Sequence, residues 1–221
     1  MLPPGMCQLH PERKGREVNG WAWAALALYL AWAGTAFGIR AALQRRRTGD
    51  AGFRGISGRP GTAPWWAGIL FVTSLLGGAA APAAALNGLH ALPGSEITPV
   101  QWTGLLLSLA GMAFTLAAQT NMGASWRVGV DVGERTTLVT DGLFAHVRNP
   151  VFTAMTVTAA GLALMVPNWI AVLALVALVA AVQLQVRVVE EPYLAAVHAK
   201  AYAAYTARTG RFLPGIGRRT A

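Results

Sequence analysis

From Pro150 to Val186 the chain runs 37 residues without an Asp, Glu, Lys or Arg. No other feature limits the fold so sharply. A helix needs about 20 apolar residues to cross the hydrocarbon core of a bilayer, so this run is too long for one span. Pro167 and Asn168 stand near its middle; proline ends a helix, and the Pro-Asn pair favours a turn. The pattern predicts two short helices, 150–166 and 169–186, of 17 and 18 residues. Each would reach about 25 Å at 1.5 Å per residue, which suits a tight hairpin.

Charge is cleared from other windows as well. Only 12% of the 221 residues are charged and 54% are hydrophobic, whereas a soluble domain carries about a quarter charged residues. Spans are predicted at 21–43, 65–89 and 100–118. Gly77, Gly78 and Pro82 mark a kink or a close helix contact in the second. The expected fold is all-α and polytopic: a tail over 1–20, five transmembrane helices of which the last two form the hairpin, and a C-terminal helix. Within it, 121–221 is read as the catalytic region, with a cofactor loop ahead of the hairpin. No repeat suggests inverted halves. The single cysteine, Cys7, excludes an intramolecular disulfide framework and a thiolate metal cluster, and no metal site is predicted.

Arginine sets the expected orientation. The segment 44–64 holds five arginines and the chain from Arg187 onward holds six basic residues, while 90–99 and the hairpin tip hold none. The positive-inside bias then puts the N-terminus outside and the C-terminus in the cytoplasm, in a cell inner membrane. Trp21, Trp23, Trp65, Trp66, Trp102 and Trp169 fall at span starts, as interfacial tryptophans do. The net charge of +9 is read as a topology signal and a contact with anionic headgroups. The basic residues flank spans and form no stripe, so nucleic acid is not an expected partner; the lipid bilayer is.

Two motifs frame the hairpin. "RNP", Arg148 to Pro150, opens it, and "RVVEE", Arg187 to Glu191, closes it, so both lie at its cytoplasmic mouth. Asn149 before Pro150 is a helix start, with Asn as cap and Pro at the first helical position. Free N–H groups at such a start also attract an anion, and Arg148 adds a cation. Glu190 and Glu191 are adjacent on a helix, about 100° apart, so one of them is expected to face a pocket and the other to be solvated. Beyond them Leu194, Val197, His198, Ala201, Tyr202 and Tyr205 recur at three and four, which predicts an amphipathic cytoplasmic helix with the tyrosines packing it.

The ordered set "LVTDGLFAHVRNPVF", short hairpin, "EEPYLAAVHAKAYAAYTARTGRFLP" resembles the isoprenylcysteine carboxyl methyltransferase and phospholipid methyltransferase superfamily over roughly 136–214. Those are integral membrane enzymes that use S-adenosyl-L-methionine. The resemblance implies cofactor contacts at Thr136, Thr137, Leu138, Val139, Phe144, Asn149, Pro150, Val151, Phe152 and Glu190, and a substrate-facing arginine for which Arg187 is the nearest candidate. Phe144 and Phe152 stand where relatives carry phenols, and His198-Ala199 replaces a Phe-Gly.

Methyl transfer from a sulfonium needs alignment and a dry site more than side-chain chemistry. The expected acceptor is a lipophilic small molecule. A carboxylate needs no base and Arg187 or Arg148 orients it; an amine or hydroxyl gains from a base, for which His146 is the candidate at the mouth, although it reads equally well as a surface histidine. Two other readings stay open: an inactive relative serving as a membrane scaffold, and an NADPH-dependent reductase of the sterol reductase type.

Overall fold

The structure, a computed structural model, describes residues 9–52, 55–95, 97–123 and 137–219, without the side chains of 9–18. Among these residues it is helical throughout, with two isolated bridges and no strand. Helix α1 (Leu9–Ala33) continues through a π-helical turn (Gly34–Ile39) into α2 (Arg40–Thr48). Then follow α3 (Ala63–Leu86), α4 (Thr98–Met122), a 3-10 turn (Gly142–Ala145), α5 (Pro150–Met165) and α6 (Trp169–Leu184). A second π-helical turn (Gln185–Glu190) leads into α7 (Glu191–Arg208), which is bent at Ala199. Segments Asn19–Thr48, Ala63–Leu86 and Thr98–Met122, and the helix that starts at Trp169, are long and apolar enough to cross a membrane; Pro150–Met165 is a shorter apolar helix.

The predicted hairpin is present, and its turn has a specific lock. Asn168 caps α6 by accepting from the Ala171 N–H at 3.0 Å, and its Nδ2 donates to the Ala81 carbonyl of α3 at 2.9 Å. The side chain is 1% exposed. One residue thus starts α6 and ties the hairpin tip to α3.

Helix packing is led by small residues. The buried face of α4 is Gln101, Gly104, Ser108, Gly111, Thr115, Ala118 and Gln119, and that of α5 includes Ala154, Thr158 and Gly161. Leu106 and Phe114 of α4 point outward, 66% and 57% exposed. This reverses the soluble pattern. In lipid the large apolar groups gain nothing by turning inward, whereas small groups let backbones approach closely. A Cβ on Gly161 would lie 2.5 Å from the Gly104 carbonyl, and one on Gly77 would lie 2.8 Å from the Ala174 Cβ of α6. The resulting pairs, α4 on α5 and α3 on α6, dominate the interior. Tyr29 and Trp32 of α1 close the centre with Ala36 and Met155.

Gly161→Ala should therefore lower stability by about 1–3 kcal/mol through overpacking. Gly20→Ala, where a Cβ meets nothing within 4 Å, should leave the protein as stable or slightly more so. Thermal unfolding of both variants in one detergent compares them directly.

Candidate active site at the hairpin mouth

The start of α5 is held by the chain's tail. Arg148 N–H donates to the Gly210 carbonyl at 2.8 Å and Asn149 N–H to the Arg211 carbonyl at 3.1 Å. Thr153 Oγ1 adds a bond to the Phe212 carbonyl at 2.9 Å. Asn149 stands at the N-cap position but does not cap: its Nδ2 donates to the Arg211 carbonyl at 3.0 Å. The tail has claimed the side chain that the helix start was expected to use. With no side-chain cap, the first N–H groups of α5 remain available to another acceptor.

Arg148 is fixed below this seam. Its Nη1 donates to the Thr209 carbonyl at 2.6 Å and its Nη2 to Glu191 Oε1 at 2.9 Å and the Gly217 carbonyl at 3.1 Å. Glu191, only 2% exposed, also receives Arg211 on both carboxylate oxygens, at 2.7 and 3.0 Å, and Arg219 at 2.8 Å. The fork of Arg211 matches a carboxylate in two parallel bonds. That hydrogen bond to Glu191, working against burial, raises the Arg211 pKa above its ordinary value. Of the two adjacent glutamates, then, Glu191 is not a solvated face. It is the buried centre that joins α7, the "RNP" stretch and the tail.

The 3-10 turn is set by two contacts. Gly142 has φ +56° and sits so close to the Asn121 side chain that a Cβ would collide with it. Tyr205 OH donates to the Phe144 carbonyl at 2.6 Å. Tyr205 therefore packs α7 against the turn, as its spacing predicted.

These elements enclose a cavity of about 240 Å³. Thr137, Leu138, Val139, Phe144, Asn149, Pro150, Val151, Phe152 and Glu190 line it; Thr136 lies outside the described residues. Arg148 and Glu191 reach its wall too. Glu190 accepts from Gln185 Nε2 at 3.3 Å. Arg187 and His146 are not brought there. Arg187 is exposed and donates from Nε to Gln183 Oε1 at 2.7 Å, and His146 is exposed with Nδ1 3.3 Å from the Gly142 carbonyl.

The sequence reading missed the opposite wall: Phe37, Ala67, Gly68 and Phe71, with Gln119 and Met122. Gln119 carried a signal, a glutamine near the end of an apolar span, because an intramembrane polar residue usually faces the bundle interior. The aromatic residues carried none, since phenylalanine in a span is ordinary. Tyr202 also lines the cavity beyond its expected packing role. Both π-helical turns border it, through Phe37 and through Gln185 and Glu190.

The donor set suits an ionic, polar ligand at one end, with a carboxylate in Glu190 and an open helix start, and an apolar molecule at the other. Among the described residues no group of His, Cys, Asp or Glu is placed to hold a metal ion. Residues 100–201 match the phospholipid methyltransferase family model. No curated protein matches the chain.

Truncating Glu191→Ala leaves three guanidinium groups without their anion and should cost about 3–5 kcal/mol of stability. Arg187→Ala, at an exposed position, should change stability by no more than about 0.5 kcal/mol. Chemical or thermal unfolding in detergent reads both.

Proposed function

We propose that this chain, whose residues 100–201 belong to the phospholipid methyltransferase family, transfers a methyl group from S-adenosyl-L-methionine to a lipophilic acceptor at the cytoplasmic membrane face. The observation that carries this reading is the shared cavity: one wall is built from the loop ahead of the hairpin, the "NPVF" start and Glu190, the other from membrane helices. The site fits the cofactor by its donor set. The uncapped N-terminus of α5 offers N–H groups to a carboxylate, Glu190 offers an acceptor to an ammonium or ribose hydroxyl, and Phe144 and Phe152 offer apolar surface.

When bound, S-adenosyl-L-methionine supplies an activated methyl: the acceptor's lone pair bonds to that carbon as the carbon–sulfur bond breaks and its electron pair returns to sulfur. The chain's own work is alignment and exclusion of water. Val151 and Phe152 bind through backbone N–H, Glu190 orients, and the phenyl rings keep the mouth dry. Arg148 acts here as a positioning residue, because its guanidinium is committed to Glu191 and three carbonyls. His146 and Arg187 serve as base or acceptor-orienting group only after moving from their exposed positions. The acceptor enters from the bilayer between the helices that form the apolar wall. A C-terminus in the cytoplasm is part of this reading, since the cofactor is a cytoplasmic metabolite.

Glu190→Gln should weaken S-adenosylhomocysteine binding by roughly 10- to 100-fold, the equivalent of a charged hydrogen bond of about 1.5–3 kcal/mol. Calorimetry in detergent measures it, and equal affinity in the variant removes Glu190 from the site. Stabilisation of the wild type by NADPH rather than S-adenosylhomocysteine would favour the reductase reading, and by neither, the scaffold. A C-terminal fluorescent or phosphatase fusion should report the cytoplasmic side.

A further inference from the structure

Gln119 is 2% exposed and stands on the cavity wall opposite Glu190 and the start of α5. Its Nε2 donates to the Ala36 carbonyl at 3.0 Å, inside the first π-helical turn. That carbonyl can only accept, so the amide's orientation is fixed and Oε1 is turned away from it. Oε1 is buried and makes no hydrogen bond. Leaving a buried acceptor unpaired costs free energy, and proteins seldom leave one where nothing answers it.

The surroundings say what would answer it. Phe37, Phe71 and Met155 line the cavity with Gln119, and this part of the wall comes from membrane helices. A ligand there has an apolar body. Its polar head must donate, because a carbonyl oxygen accepts and never donates. A carboxylate head, itself acceptor-only when ionised, would add repulsion without a bond.

We propose that Gln119 recognises the methyl acceptor's head group through an N–H or O–H donated to Oε1, and so selects a lipophilic amine or hydroxyl over a carboxylate. This rests on the methyl-transfer reading of the cavity and narrows its acceptor class. The residue is a specificity determinant; it has no proton to give from Oε1 and none to take at neutral pH. Its place is fixed from two sides. The Ala36 carbonyl holds the side chain, and Arg40 Nη2 donates to the Gln119 backbone carbonyl at 3.2 Å. A head group held by this amide meets the Phe144 and Phe152 side of the cavity, where the methyl would be offered.

Four probes with one oleyl tail test the proposal by binding to the full chain in detergent: oleyl alcohol, oleylamine, oleyl methyl ether and oleate. The shared tail cancels partition into micelles. The alcohol should bind about tenfold more tightly than the ether, which lacks only the donor, and the amine more tightly than oleate. In Gln119→Met both ratios should fall to about one, while S-adenosylhomocysteine affinity stays as in the wild type. Equal binding of alcohol and ether by the wild type overturns the proposal without any variant. A preference that survives in Gln119→Met, or a loss of S-adenosylhomocysteine affinity in that variant, also overturns it. Should the wild type show the head-group preference yet bind no S-adenosylhomocysteine, the methyl-transfer reading fails and the donor-recognising site stands.

Discussion

A carboxylate removed from water must have its charge met at close range, and Glu191 is met by three guanidinium groups between 2.7 and 2.9 Å away. Each partner comes from a different stretch: Arg148 from the approach to α5, Arg211 and Arg219 from successive parts of the tail. The site depends on this convergence. Arg148 carries the start of α5 with it, and the tail carbonyls of 209–212 pair with that same stretch. Burying the charges is costly, so the cluster is weak evidence of net stability gain. Its effect is geometric. It joins two chain ends of the hairpin region that the membrane helices alone would leave unconnected.

Above this cluster the helices follow the rules of an apolar solvent. The faces that meet are glycine, alanine, serine and threonine, and the faces turned outward carry leucine, valine and phenylalanine. Close backbone approach replaces hydrophobic burial as the source of packing. Polar side chains inside the bundle return bonds to the helices: Ser108 and Thr115 to carbonyls four residues back, Asn168 across to α3. The cavity begins where this tight packing ends, at the two π-helical turns, which widen the helices that carry Phe37 and Glu190. Such turns commonly accompany functional sites.

Much of the fold was legible in the chain because it follows from local rules. A charge-free run of 37 residues with Pro167 and Asn168 at its centre has few outcomes other than a hairpin. The grouping at the mouth was legible for a related reason: the ends of a short hairpin must be neighbours, so "NPVF" and Glu190 were bound to approach each other. Gly77 and Gly78 likewise announced a close helix contact, found against Ala174 and Tyr29.

What stayed hidden depends on partners distant in sequence. Asn149 looked like a cap by every local criterion, yet the Arg211 carbonyl, 62 residues away, takes its amide. Of two adjacent glutamates, local periodicity offered no basis for predicting that Glu191 would be the buried one, because that choice rests on where Arg211 and Arg219 return. Nor could it pair Gln119 with Ala36, 83 residues apart. The sequence by itself determined the helices, the hairpin and the neighbourhood of its ends, since hydropathy and proline act over a few residues. Only the tertiary structure decided which polar group meets which, because a hydrogen bond is settled by ångströms between segments that the linear chain keeps far apart.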